Sequence, residues 1–533
     1  MMRSLWRKTW RKLAAVAVAG VLAGATVDHV YSQDTSPDAL LQRLERLEQQ
    51  NRELQQKLQS VTTPVAADGG IDAKTVENIV SNYLQAQAKK EEAKKAEKKA
   101  EFVEVGSDLN FKTTFKDGIS FATPDNAFKF HVGGRFHLDA GQFDQTDTFP
   151  NYDDAVNFRR LRMRADGTMW EIFDWVLEVD FANSSGNADR ATFTDVYVDC
   201  TQLPWIGNLR VGRFKEPIGF EELISSRYIN HIERSLAHAA FVPSRNLGVM
   251  AHRALGDDQR GTLMSGLFRD DTGEGIDPAR GNGGFGAYEA EYAWTSRATF
   301  LPYWAHDGRC LVHLGGSYSF RNFHTNTETN TNRPRYRSGA EARLGTPTLI
   351  DTGAIEDVEN VSLWGGEFAA QRGPLSVMSD VYVNQVNRQT RDGDPTSNPL
   401  YWGGYVQVGY FLTGEHRPYK RTSGTFDRVR PHGNFFLVKN EDGGISRGVG
   451  AWEVIARYSY LDLHSNGFSD DPSSSARTGG TGVLQGYTLG VNWYLNPNMK
   501  WMFNYVRTYR DSDAGPEFDG RVDCFLARLA IDF

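Results

Sequence analysis

The chain has 533 residues, 40% of them apolar and 12% aromatic, with 52 glycines, only three cysteines and a formal charge of -8. Its mean hydropathy of -0.50, with no apolar run of eighteen residues past the start, excludes a helical membrane protein. Three cysteines cannot make a disulfide framework. No basic stripe with interleaved aromatics points to nucleic acid.

The first segment reads as an address. Arg3, Arg7, Lys8, Arg11 and Lys12 precede an apolar stretch from Leu13 to Val27, and Ala23-Gly24-Ala25 supplies small residues for cleavage. This predicts a secretory signal peptide over 1–25. Leu40, Leu44, Leu47, Asn51, Leu54 and Leu58 then recur at heptad spacing, predicting a coiled-coil stalk over 38–60, with Asn51 at an a position. At 1.5 Å per residue it would extend roughly 30 Å. After Pro64 and Gly69-Gly70, residues 72–100 read as a charged, Ala/Lys/Glu-rich helix or linker.

From about residue 127 the pattern changes to strict alternation. Trp175, Leu177, Val179 and Phe181 oppose Glu178 and Asp180; Trp452, Val454, Ala456, Tyr458 and Tyr460 oppose Glu453, Arg457 and Ser459. The segments run about ten residues, nearly twice the usual soluble strand, and are bracketed by aromatics. A lipid-facing apolar band outside a wet lumen explains both features. The last strand is the most specific: Phe525, Ala527, Leu529, Ile531 and terminal Phe533 share one face.

Seventeen segments carry this signal, among them 285–294, 310–320, 335–344 and 361–372. Both barrel termini belong on the periplasmic side, which requires an even number, so the prediction is an all-β, 16-stranded antiparallel transmembrane barrel over 127–533. Long polar connections after alternate strands, and tight ones such as Leu203–Gly207 and Asn496–Asn498 between them, define two unlike rims.

Residues 127–533 hold 41 basic and 50 acidic side chains, and 36 of the 41 bases are arginine. Overall charge cannot attract anions; placement must. Arg160, Arg162 and Arg164 alternate with Leu161 and Met163, so lipid-facing Leu and Met would leave three guanidiniums about 7 Å apart in the lumen. Arg333, Arg335 and Arg337 repeat the pattern. Such a ladder can pass a small oxyanion between weak sites, because arginine offers a planar, permanently charged fork. Cross-barrel carboxylates could instead neutralise it into ordinary ion pairs. His131, His137, His231, His238 and His313 lie in no nucleophile motif, so no enzyme is predicted, and no cofactor or metal is called for.

The stretch VGRFKEPIGFEELISSRYINHIERSLAHAAFVPSRNLGVM at 211–250 resembles the phosphate-selective porins of the O/P family, as do FRRLRMRADGTMW at 158–170, YVQVGYFLTGEHRPYK at 405–420, GAWEVIARYSYLDL at 450–463 and YTLGVNWYLNP at 487–497. The resemblance implies a homotrimer in the outer membrane that passes inorganic phosphate or other small anions. It also implies a third loop, about 215–245, folded into the lumen, and Ile218, Phe220, Ile224 and Ile229 suit burial there. By the same resemblance Arg159 and Arg160 match paired arginines of the second strand, Asp195 an acidic lumen residue of the fourth, and Ser225, Ser226 and Arg227 a Ser-Ser-basic stretch of loop three. Arg162 stands where an aromatic occurs in some members, and Leu223 where a lysine can occur. The alternative expectation is a general or organic-solute diffusion pore whose stalk also tethers the membrane to a periplasmic or cell-wall partner.

Overall fold

A computed structural model describes residues 109–533, except 116, 147–148, 150–151, 183–190, 270–291, 324–333, 345–347, 356, 390–397, 440–442, 465–479 and 514. Before these only positions 85, 89 and 90 are described, and they are helical. The signal peptide and coiled coil predicted above lie outside the described residues, as does almost all of 72–100.

Among the described residues sixteen long antiparallel strands close into one barrel. They are β1 (Lys129–Gln145), β2 (Ala155–Met169), β3 (Phe173–Asp180), β4 (Thr192–Leu203), β5 (Gly207–Lys215), β6 (Arg245–Leu255), β7 (Gly261–Arg269) and β8 (Tyr292–Ala305). The second half comprises β9 (Cys310–Asn322), β10 (Val358–Arg372), β11 (Leu375–Arg388), β12 (Leu400–Phe411), β13 (Ala451–Asp462), β14 (Gly482–Asn496), β15 (Met499–Ser512) and β16 (Gly520–Asp532). Each strand pairs with its chain neighbour, and β16 returns to β1 through register pairs running from Val522↔Gln145 to Asp532↔Arg135. Closure leaves no sheet edge facing lipid, the condition for strands to cross a membrane.

The alternation decides which face looks where. Leu161, Met163, Trp364 and Phe525 are exposed on the outside. Trp452, Trp493 and Trp501 sit near the rim that carries the chain end, and Tyr458, Tyr487 and Tyr509 lie farther up the same strands, toward the other rim. The carboxyl end seals the seam: Phe533 and Gly134 exchange backbone hydrogen bonds of 3.0 and 2.7 Å. Gly134 must be glycine, because a Cβ there would lie 2.8 Å from both the Arg162 carbonyl and the Phe533 ring.

Two strand expectations need correction. The segment 335–344 is no wall strand: only Arg337–Ser338 pairs, with Ile350–Asp351, inside the long connection between β9 and β10. Its apolar residues Tyr336, Ala340, Ala342 and Leu344 face other loops rather than lipid, and alternation alone cannot separate those two kinds of burial. Removing it turns seventeen segments into sixteen. The strand expected at 285–294 instead runs from Tyr292 to Ala305, with Pro302 absorbed where the register to β9 shifts between Phe300 and Tyr303. A bulge tolerates a residue that cannot donate to the ladder.

A third difference concerns the rims. The connection between β12 and β13, residues 412–450, is long although it lies on the rim of tight turns. Part of it rises into the lumen, where Arg297 donates to the carbonyls of Ser423 (3.2 Å) and Gly424 (2.9 Å), and Gln371 exchanges bonds with the Arg417 backbone.

Candidate functional site

Loop three occupies residues 216–244 and folds inward, with two short helical turns, α1 (Phe220–Leu223) and α2 (Leu236–Phe241). Its apolar residues drive this. Ile218, Phe220, Ile224, Ile232, Leu236 and Phe241 are fully buried, each worth about 1.5–3 kcal/mol relative to exposure. Phe220 stacks on His313 of β9 at 4.5 Å and packs against Phe426 of the rising periplasmic segment at 5.5 Å. The lumen on the β8–β12 side is thus filled from above by loop three and from below by residues 417–428.

Polar bonds fix the loop's height. The Glu221 amide donates to Asp380 (3.0 Å) and the Ile232 amide to Asn504 (2.8 Å). Arg457 on β13 donates to Glu221 (3.1 Å), to the Glu233 carbonyl (2.9 Å) and to Glu341 (2.9 Å). Glu341 belongs to the segment between β9 and β10. It also accepts from Thr488 (2.9 Å) and from the Leu236 amide (3.2 Å). One buried arginine therefore clamps two inward loops to the wall.

On the opposite wall, β2 carries the predicted arginines. Strict alternation would place Arg159 with the lipid-facing Leu161. A bulge intervenes, since His137 pairs Arg160 but Leu138 pairs Phe158, so Arg159 and Arg160 both turn inward. Arg159 donates to Glu233 of loop three (2.8 Å), which Arg528 also reaches (2.9 Å) while bonding Asp139 (2.6 Å). Arg160 is buried and meets only His137 Nδ1 at 3.3 Å; among the described residues no carboxylate lies within ion-pair distance of it. Burial tends to raise the Glu233 pKa, but Arg159, Arg528 and Arg160 hold it well below the usual carboxylate range.

The next two rungs are paired. Arg162 binds Asp180 (2.6 Å) and Glu178 (3.0 Å), and Arg164 binds Asp166 (2.7 Å). Arg135 pairs with Glu178 and donates to Ser226 (2.8 Å) and Ser225 (3.4 Å). Asp195 holds Arg245 through two bonds of 2.9 and 3.0 Å. The row of guanidiniums expected from 160, 162 and 164 is replaced by charge-balanced pairs below one carboxylate-poor pair of cations.

The second row does not line a wall strand. Arg333 lies outside the described residues; Arg335 grips Asp351 through 2.7 and 2.5 Å bonds, and Arg337 sits on the short loop hairpin. Arg335→Gln is accordingly expected to change ion selectivity by less than about twofold, as for a half-exposed, compensated ion pair. Reversal potentials of the two proteins check this.

The structure adds residues that alternation did not single out. Arg343, half-buried in the same segment as Glu341, feels Arg159, Arg234 and Arg337. Burial and those neighbours lower its pKa to about 10. Beneath loop three, Arg227, Arg428, Lys500 and His137 line a small cavity of about 20 Å³ with Asp532 at one side. Arg227 Nε and Nη2 have no hydrogen-bond partner there, and its distance to Asp532 is 3.8 Å. In the sequence only Arg227, through the Ser-Ser-basic stretch, points to this cavity; Arg343, Arg428 and Lys500 carry no local mark.

The pattern of the phosphate-selective porins O and P matches residues 130–533, the whole barrel. The chain belongs to the phosphate-selective porin O and P family. It is 27% identical over 447 residues to Porin O of Pseudomonas aeruginosa, covering 80% of this chain and 93% of that one. An uncharacterised protein of Caulobacter vibrioides is 28% identical over 533 residues, 98% and 96% of the two chains. Among solved structures, the outer-membrane channel DcaP of Acinetobacter baumannii is 13% identical with a TM-score of 0.44, covering 77% of this chain and 99% of that one. The trimer form of OmpT from Vibrio cholerae is 10% identical with a TM-score of 0.43, covering 76% and 100%. This porin is an outer-membrane β-barrel transport channel.

Proposed function

We propose that this porin is a passive, anion-preferring channel for phosphate or related oxyanions, working as a homotrimer. One observation carries the reading: where loop three meets β1, β2 and β16, Arg159, Arg160 and Arg528 stand against Asp139 and Glu233. Three cations against two anions leave a local surplus that the acidic barrel as a whole does not have. Away from bulk water, that surplus lowers the energy of a passing anion and raises that of a cation.

The paired arginines Arg162 and Arg164, together with Arg227, Arg428 and Lys500 beneath loop three, give an anion hydrogen-bond donors on the periplasmic side of the constriction. Each donor substitutes for part of the hydration shell, and sharing among several sites keeps any one from trapping the ion. Arginine suits oxyanions because its fork can meet two oxygens at once. Ser225 and Ser226, held by Arg135, set the turn that aims Arg227 downward.

The test is single-channel recording in a planar bilayer under a potassium chloride gradient, with phosphate then titrated in. A reversal potential near that of chloride, with block by phosphate, is the expected result. A cation-selective record would return the field to the 50 acidic groups and leave a general diffusion pore, with any tethering by the stalk a separate matter.

A further inference from the structure

The rising periplasmic segment does not end in the lumen. After His432 the chain emerges on the outside of the barrel and forms a separate two-stranded hairpin, Phe436–Lys439 with Ile445–Gly448, in register from Phe436↔Gly448 to Lys439↔Ile445. It joins no barrel strand. An isolated two-stranded hairpin is at best marginal in water, yet this one shows solvent its most apolar residues: Phe436 is 65% exposed, Ile445 69% and the following Val449 64%. Phe436 also holds a left-handed φ of 74°, a conformation that favours glycine over an aromatic. Keeping a phenylalanine there makes sense only if the ring has an environment to enter.

The hairpin's root lies on the lipid-facing wall. The Phe435 ring meets Trp493 edge-on at 4.6 Å, and Trp493 stacks on Trp452 at 5.0 Å. Both indole nitrogens donate to the Val449 carbonyl, at 2.9 and 3.2 Å, and the Phe435 amide donates to the Leu495 carbonyl at 2.6 Å. Trp452 and Trp493 alternate with the buried lumen residues Glu453 and Asn492, so they belong to the outer face, at the periplasmic end of β13 and β14. Indoles at that level mark the boundary between acyl chains and headgroups.

We propose that this hairpin is an interfacial anchor whose apolar root, Phe435, Phe436, Leu437 and Val449, enters the periplasmic phospholipid leaflet. Three features select lipid as the occupant. The apolar surface continues the tryptophan belt without a break. Exposed Arg447 stands beside Leu437, where it can meet lipid phosphates while the aromatic residues insert. Gly443 and Gly444, at the far end of the hairpin, are exposed, and the sequence leading to them is acidic, a composition that favours water. The anchor also bears on the lumen, because the same chain segment, 417–428, packs beneath loop three.

Spin labels test the placement. They are introduced singly as Phe436→Cys, Val449→Cys and Gly444→Cys in a background with Cys200, Cys310 and Cys524 replaced by alanine. Each folded protein is studied in phosphatidylethanolamine–phosphatidylglycerol vesicles. At 436 and 449 collisions with oxygen should exceed those with a water-soluble nickel chelate several-fold, and at 444 the order should reverse. Nickel accessibility at 436 and 449 equal to that at 444 overturns the anchor, placing the hairpin in water. Shielding from both reagents, with dipolar broadening between labels, also overturns it and assigns the surface to a second copy. A cysteine-free chain that does not fold leaves a check on the natural sequence: in the same vesicles, trypsin cleavage after Arg447 should lag well behind cleavage after Lys439, and equal rates overturn the proposal.

Discussion

Replacing Arg159 and Arg160 together by alanine is expected to lower the anion-to-cation permeability ratio by on the order of tenfold while the barrel keeps its folded gel mobility. One unit charge about 10 Å from a permeating ion is worth roughly 0.4 kcal/mol at the dielectric of a water-filled lumen, near 80, so two charges acting oppositely on anion and cation shift the ratio on the order of tenfold. Removing both guanidiniums leaves Arg528 alone against Asp139 and Glu233, which turns the surplus into a deficit. Folding should survive for a specific reason. Arg160 is buried against His137, and among the described residues no carboxylate lies in ion-pair range of it, so its removal orphans no anion. Glu233, deprived of Arg159, still accepts from Arg528 at 2.9 Å. The measurement is the reversal potential in a potassium chloride gradient. An unchanged ratio in the double variant, together with a lowered one in Arg227→Ala, would move the selecting region below loop three and sink the constriction reading.

The largest structural effect is expected from Arg457→Met. Arg457 is 1% exposed and joins Glu221 of loop three, the Glu233 carbonyl and Glu341 of the segment before β10. Methionine has similar length but leaves two buried carboxylates without a cation, a cost of about 3–5 kcal/mol for breaking such a pair. The closed barrel holds its own backbone ladder, so relief is expected through the loops: both swing away from β13 and take up water. Single-channel conductance should rise, with broadened, flickering levels and weaker ion preference. Wild-type conductance and noise in this variant would show that packing of Phe220, Ile232 and Leu236 alone fixes the loops. Glu341→Gln should give a milder version, since its side chain can still accept from Thr488.

The two results separate contributions that the family pattern merges. The first tests charge at a fixed aperture and the second tests what fixes the aperture. A channel can lose selectivity by either route, but only the second also changes conductance level and noise.

Several elements were readable from the sequence because one physical rule acts alone on them. Every wall strand must show lipid an apolar face and water a polar one, so fifteen strands surfaced near their true positions from alternation, and the terminal Phe533 marked the seam. Where a second rule intervened, the reading slipped. Pro302 disguised most of β8, because its place in a strand depends on a bulge that only the neighbouring strand reveals. Residues 335–344 alternate like a wall strand, but their apolar face is covered by Leu236 and Phe241 of loop three rather than by lipid.

The sequence by itself determined the strand architecture, the outward-facing surface, the richness in arginine and the length and apolar character of loop three. The tertiary structure alone decided which arginines have partners. Arg162 and Arg164 look identical to Arg160 along β2, yet their carboxylates come from β3 and from β2 itself, while Arg160 meets only a histidine from β1. It also decided that Arg159 points inward, because a bulge depends on the register between two strands. And it brought Arg343, Glu341 and Arg428 to the lumen from connections on both rims. Alternation is a local property of one strand facing two solvents, whereas ion pairing depends on residues tens to hundreds of positions apart that meet only when the barrel closes and its loops fold in.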